Sequence, residues 1–127
     1  MVLPHILFTD ACDTGLGAVL VSSEKRRVLS APILSPEVRD MHICTKEMLA
    51  VLWSLKQLKH LRRGQLRLFI DNQAVVAAIN SRHSLSSRIS KYLTPLLQLA
   101  ETRNLYLTAT YVNTHDNPAD EPSRRYA

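Results

Sequence analysis

What most narrows the folds open to this chain is the order of its apolar patterns: three short strand-length runs crowd the first quarter, and helix-length stripes begin only afterwards. Ile6 to Thr9 is a short apolar run ending at Asp10, and Gly15 to Ser22 follows the turn signal Asp13-Thr14-Gly15. The pair reads as a hairpin. A third strand runs from Arg27 to about Ile33 beyond the polar turn Ser23-Glu24-Lys25-Arg26, and Pro32 and Pro36 end regular pairing.

Helical spacing then takes over. Thr45 is a credible N-cap for a long helix reaching about Leu61, with Met48, Val51, Leu52, Leu55 and Leu58 on one stripe, Leu49 and Trp53 widening it, and Gly64 at its end. Gln65 to Ile70 is a fourth strand, Asn72 to Asn80 a short helix, and Ser84 to about Thr102 helical again. Pro95 either kinks that last helix or stands first in a new one capped by Thr94. Leu105 to Val112 is the final strand, and a loop with at most one helical turn completes the chain. The order implies an α/β fold, a five-stranded mixed sheet with its first three strands antiparallel and helices packed on it.

With 127 residues and no internal repeat or linker, the chain should form one domain spanning 1–127, large enough to bury a core without staples. No apolar run approaches a membrane span, and Met1 to His5 lacks the basic start of a signal peptide, so a soluble, intracellular protein is expected. Cys12 and Cys44 are too few for a disulfide framework and lack zinc-site spacing; they read as reduced packing residues.

Four acids stand out by position. Asp10 and Asp71 each end an apolar strand at its carboxyl side, and if the first and fourth strands are parallel neighbours their carboxylates meet at the sheet edge where α/β folds bind ligands. Glu47 falls in the first turn of the long helix, and Asp120 in the closing run Asn117-Pro118-Ala119-Asp120-Glu121-Pro122-Ser123-Arg124. Each has a plain structural explanation: a helix-start glutamate, a helix cap, a loop acid. Together they make a hard-oxygen set suited to two Mg²⁺ or Mn²⁺ ions.

A net charge of +5 with a pI near 9.6 suggests a polyanionic partner. Lys56, Lys59, His60 and Arg63 share one side of the expected helix beside Arg62, and Arg82, Arg88 and Lys91 follow in the next helical region, although a solvated helix face explains any one of them.

The series Phe8-Thr9-Asp10-Ala11, Thr45-Lys46-Glu47-Met48-Leu49-Ala50, Phe69-Ile70-Asp71-Asn72 and Asn117-Pro118-Ala119-Asp120 resembles the ribonuclease H domains of retroelement reverse transcriptases. The segment Asp71 to Val76 and the tail Asn117 to Arg124 look most like hepadnaviral polymerases and tyrosine-recombinase retrotransposons, and the Ser123-Arg124 ending is similar to that of Ty3/gypsy elements. Any one motif is weak, and four in order are specific. The resemblance implies a ribonuclease H-like fold that cleaves the RNA strand of RNA·DNA hybrids to 5′-phosphate and 3′-hydroxyl ends. It makes Asp10, Glu47, Asp71 and Asp120 the catalytic metal ligands, with Asp10 bridging both ions, and implies a covalently linked polymerase domain in the parent polyprotein. The glutamate lies between the aspartates, unlike in integrases and transposases of that fold, where it follows both.

Two departures follow. His115 stands only five residues before Asp120, in a shortened loop, where it either assists proton transfer and product release or is simply an exposed loop histidine. A basic protrusion is missing, so substrate grip rests on Lys56, Lys59, Arg63, Arg82 and Arg88 or on the polymerase domain. Asn72 and Ser22 or Ser23 are candidates to read 2′-hydroxyls. Two rival readings remain at this point: a degenerate module that binds nucleic acid or protein without cutting, and a DNA-directed nuclease of the same fold.

Overall fold

Five strands build one sheet, and its parallel half sets the site. In the computed structural model, which describes residues 4–23 and 25–127, β1 (His5–Ala11), β2 (Gly15–Ser22) and β3 (Lys25–Pro32) form an antiparallel meander. β4 (Gly64–Ile70) and β5 (Leu105–Tyr111) continue the sheet in parallel on the other side of β1, in the order β3-β2-β1-β4-β5. The mixed five-stranded sheet expected from the sequence is the one found. Readings that touched Met1 to Leu3 or Glu24 lie outside the described residues.

Helices α2 (Ile43–Gln57), α3 (Gln73–Ser81) and α4 (Ser87–Thr102) pack on one face, burying Leu7, Leu66, Leu68 and Leu107 against Met48, Val51, Leu55, Leu93 and Leu96. Among the described residues, no helix is long and apolar enough to cross a membrane. Thr9 of β1 lies beside Ile70 of β4, so the residues that follow, Asp10 near the end of β1 and Asp71 just past β4, stand at the same end of the parallel strands.

Local chemistry moved several boundaries. Ser35 caps a short helix, α1 (Pro36–Arg39), so Pro36 starts an element as well as ending one. The α2 helix begins earlier than expected because His42, not Thr45, is its N-cap: the His42 Nδ1 accepts the Cys44 amide at 3.1 Å. Glu47 therefore stands in the second turn, beyond the reach of a first-turn dipole argument. At its other end α2 stops at Gln57, where the buried Arg103 guanidinium donates to the Leu55 and Leu58 carbonyls at 2.6 and 3.2 Å. Leu58 and Leu61 remain fully buried beyond the helix, which is why their spacing overstated its length. Lys59, His60 and Arg63 thus lie in a turn and not on a helix face. Gly64 opens β4 instead of capping α2, and the left-handed residue there is Arg63, at φ 55°. The α4 helix starts at Ser87 and runs unbroken through Pro95, so Thr94 caps nothing. Proline only deprives the Lys91 carbonyl of its helical donor, on the exposed side.

The edge strand β5 is closed by side chains. Asn80 exchanges two hydrogen bonds of 2.8 Å with the Ala109 backbone, as a neighbouring strand would, and Arg82 donates to the Leu107 carbonyl at 2.7 Å. Edge pairing with another chain is blocked there.

On the opposite face the tail forms α5 (Asp120–Ser123), seated against β2. A Cβ at Gly15 would overlap the Ser123 carbonyl oxygen, and one at Gly17 the Ser123 amide nitrogen and the Ala119 carbonyl. Both obstacles are backbone, which cannot swing aside. Gly17→Val is therefore expected to push α5 off the sheet and lower stability by about 1–3 kcal/mol; a thermal melt unchanged from that of the parent would show that α5 is not anchored there.

Candidate metal centre

Each close ligand candidate arrives on a different element. Asp10 sits on β1 with 3% of its surface exposed, Glu47 on α2 with 4%, and Asp71 just past the end of β4. One oxygen from each lies within 4.8 Å of the others. The Ala11 amide donates to Glu47 Oε1 at 3.3 Å and ties the helix to the strand.

Such a cluster is costly without a cation. Burial first, and the Asp71 charge second, push the Asp10 carboxyl up to about 7. Burial followed by the charges of Asp10 and Asp71 pushes Glu47 up to about 10. Glu47 Oε2 and Asp71 Oδ1 are buried acceptors with no hydrogen-bond donor among the described residues. A hard divalent ion fits this donor set: three carboxylates, no sulfur or imidazole ligand, and oxygens left unsatisfied by the protein.

Asp120 is not one of the three acids whose oxygens all lie within 4.8 Å of one another, but its side chain reaches Asp10 and helps to push that carboxyl up. It lines the same cleft, of about 400 Å³, but its Oδ1 is held by the Arg124 guanidinium at 2.9 Å, and its side chain is 30% exposed. Cys12, Asn72 and Thr114 share the lining. The Asn72 Oδ1 caps α3 by accepting the Val75 amide at 3.1 Å, and its Nδ2 donates to Cys44 Sγ. Both cysteines are free thiols in packing contacts. His115 is exposed in a single 3-10 turn (Thr114–Asp116) and is not among the residues lining the cleft.

Three residues that sequence reasoning missed hold the acids. The Thr114 hydroxyl donates to Asp71 Oδ2 at 3.2 Å. Ser123, fully buried, has its Oγ 2.7 Å from the Asp120 carbonyl and 3.3 Å from Asp10 Oδ2. Arg124 orients Asp120. Thr114 gives no signal in the sequence, but Gly15-Leu16-Gly17 inside a strand marks a close backbone approach, and that approach is what places Ser123.

The expected basic residues do not gather in one place. Arg88 and Lys91 line a groove of about 510 Å³ with His42 and Thr45 at the start of α2. Arg82 is engaged at the β5 edge, its guanidinium also 5.1 Å above the Tyr106 ring. Lys56 lies in the last turn at the far end of α2, and Lys59 and Arg63 lie beyond it, before β4; ten residues along the helix, about 15 Å, separate Glu47 from Gln57. Ser22 ends β2 at that same far end, its Oγ 2.7 Å from His5 Nδ1.

Residues 2–99 match the family described as the RNase H-like domain found in reverse transcriptase. The chain belongs to this family. Over 85 residues, the RNase H-like domain is 33% identical to a retrovirus-related Pol polyprotein from transposon gypsy of Drosophila melanogaster; the match covers 64% of this chain and 8% of that protein. Its fold is shared with LC11-RNase H1, solved in complex with an RNA/DNA hybrid, at 15% identity and a TM-score of 0.68 over 93% of this chain and 92% of that one. It is shared equally with the N-terminal RNase H domain of a Mycobacterium tuberculosis protein, at 14% identity and a TM-score of 0.69 over 94% and 90%. The foamy viral protease-reverse transcriptase in complex with dsDNA gives 15% identity and a TM-score of 0.63 over 91% of this chain and 25% of that one. Asp120 lies beyond the family-matched span, so its place in the cleft rests on the geometry of α5.

Proposed function

We propose that this RNase H-like domain is a divalent-metal-dependent endonuclease that hydrolyses the RNA strand of RNA·DNA hybrids, leaving 5′-phosphate and 3′-hydroxyl ends. In this reading it works inside the cell as the nuclease part of a reverse-transcriptase polyprotein, covalently linked to a polymerase domain. The observation that carries it is the triad of Asp10, Glu47 and Asp71 on one sheet edge, with buried oxygens that no donor among the described residues satisfies.

Asp10, Glu47, Asp71 and Asp120 would hold two Mg²⁺ or Mn²⁺ ions. Such a pair, when bound, supplies an activated water and neutralises the leaving oxygen in an in-line displacement. The protein's own residues set the stage: Thr114 and Ser123 orient Asp71 and Asp10, and Arg124 holds Asp120 by one oxygen while leaving the other free. Arg88 and Lys91 hold the phosphate backbone of the hybrid beside the cleft. Asn72 faces the cleft with one amide hydrogen uncommitted, suited to a 2′-hydroxyl. In this reading His115, exposed in the 3-10 turn that also carries Thr114, assists product release and is not a metal ligand.

The test is cleavage of a labelled RNA·DNA hybrid in Mg²⁺ and in Mn²⁺, with DNA duplex and RNA duplex alongside. Hybrid-selective cutting that Asp71→Asn removes is the expected result. No cutting under either ion would leave a binding module, and cutting of DNA duplex as fast as hybrid would make it a DNA-directed nuclease.

A further inference from the structure

The chain's positive charge is concentrated far from its acids. Seven of the sixteen Lys and Arg residues, but only one of the eleven acids, fall within residues 24–27 and 56–63, so these two short segments carry +6 and the rest of the chain −1. The fold brings the two segments together. The start of β3 and the turn between α2 and β4 share one pocket of about 230 Å³, lined by Lys25, Arg27 and His60 with Leu20 and Ser22. Among the described residues, no carboxylate lines it.

These cations are not structural partners of acids. Lys25, Arg26 and Arg27 are exposed, as are Lys56, Lys59 and Arg62, and none of them makes an ion pair with another described residue. Like charges press on one another here: burial, then the neighbouring Arg62 charge, holds Arg103 below its ordinary value. Crowding cations this way works against folding stability, so a compensating polyanion is the economical explanation.

We propose that this basic pole, at the opposite end of the sheet from the carboxylates, is a second binding surface for the phosphate backbone of duplex nucleic acid. Ten residues of α2, from Glu47 to Gln57, about 15 Å, stand between the carboxylates and the pole, and no described residue lines both the cleft and the pole's pocket. Lys59 and Arg63 thus engage a segment of nucleic acid other than the one being cut. Open, dispersed point charges suit phosphates and carry no base readout. Binding there is sequence-independent and strongly salt-dependent.

The experiment uses the whole chain in EDTA, where metal-dependent chemistry is silent, and a labelled 30-base-pair DNA duplex read by fluorescence anisotropy across a salt series. Lys25→Gln/Arg27→Gln/Lys59→Gln is expected to weaken binding at least tenfold and to flatten the slope of log affinity against log salt by about 2.7, at about 0.9 for each of three phosphate contacts. Lys25→Glu/Arg27→Glu should weaken it further, and Asp71→Asn should leave it unweakened. Unchanged affinity and slope in both pole variants, with native melting, would overturn the proposal. Retained nucleic-acid affinity together with lost association to a polymerase domain would overturn it equally, assigning the pole to a protein. Because a short hybrid should still be cut by the Gln variant at the parent rate, failure of this inference is separable from failure of the nuclease reading.

Discussion

Glu47→Gln is expected to remove metal-dependent cleavage while leaving the metal-free domain as stable as the parent or more so. The two halves of that result come from one cause. Glu47 is 4% exposed, and burial with the charges of Asp10 and Asp71 raises its carboxyl to about 10, so the folded protein without metal favours the neutral form. Glutamine has nearly the same shape, is permanently neutral, and keeps an oxygen to accept the Ala11 amide. What it cannot supply is an anionic ligand. Losing only a supporting partner of a metal ligand typically lowers metal affinity by about 10–100-fold, so losing a ligand should exceed a hundredfold. Isothermal titration with Mn²⁺ and a hybrid-cleavage assay would measure the loss, and thermal melting in EDTA the stability. A variant that cuts hybrid at the parent rate, or that melts well below the parent in EDTA, would mean that Glu47 serves the scaffold and not a metal.

How far the site could be read in advance depended on how local each determinant was. Asp10 and Asp71 follow apolar strands, and once β1 and β4 pair in parallel their meeting is forced by register; this needed only strand order. The start of α2 was harder, because an imidazole cap at His42 competes with the more familiar threonine at Thr45. The helix's end was misjudged because Leu58 and Leu61 keep helical spacing while packing from a turn, and what stops α2 is Arg103, a residue 45 positions away from Leu58. That same long-range contact removed Lys59 and Arg63 from the helix face on which they had been grouped. Arg82 looked like a phosphate ligand for want of any view of the β5 edge it closes. Thr114 and Ser123 belong to the tail, whose position follows from backbone meeting backbone at Gly15 and Gly17, a contact between segments about 100 residues apart. Chemistry carried by strand ends was therefore legible, whereas chemistry set by tertiary reach was not.

Without metal, the domain should lose stability as pH rises from about 4 toward 10, the reverse of the trend for a protein whose carboxylates are stabilised as anions. The sign follows from the direction of the shifts. Both Asp10 and Glu47 hold their protons more tightly folded than unfolded, so the folded state binds more protons between the ordinary carboxyl range and the raised values. Their contribution is complete below about pH 4 and is lost as pH climbs through about 7 for Asp10 and about 10 for Glu47. At about 1.4 kcal/mol per pH unit, Asp10 alone sets an upper bound of about 4 kcal/mol, which for a domain of this size is on the order of 10 °C in melting temperature. A bound divalent ion reverses the dependence, because it displaces those protons and binds more tightly as they become easier to remove. Melting curves at pH 5, 7 and 9, in EDTA and in excess Mn²⁺, should therefore diverge, with metal-induced stabilisation smallest at pH 5 and largest at pH 9. Asp71→Asn should flatten the EDTA series, since the Asp71 charge contributes to both shifts, and should shrink the metal response at every pH. Parallel curves with and without Mn²⁺, or an EDTA series that rises with pH, would show that the three carboxylates are not held as a proton-sharing cluster awaiting a cation.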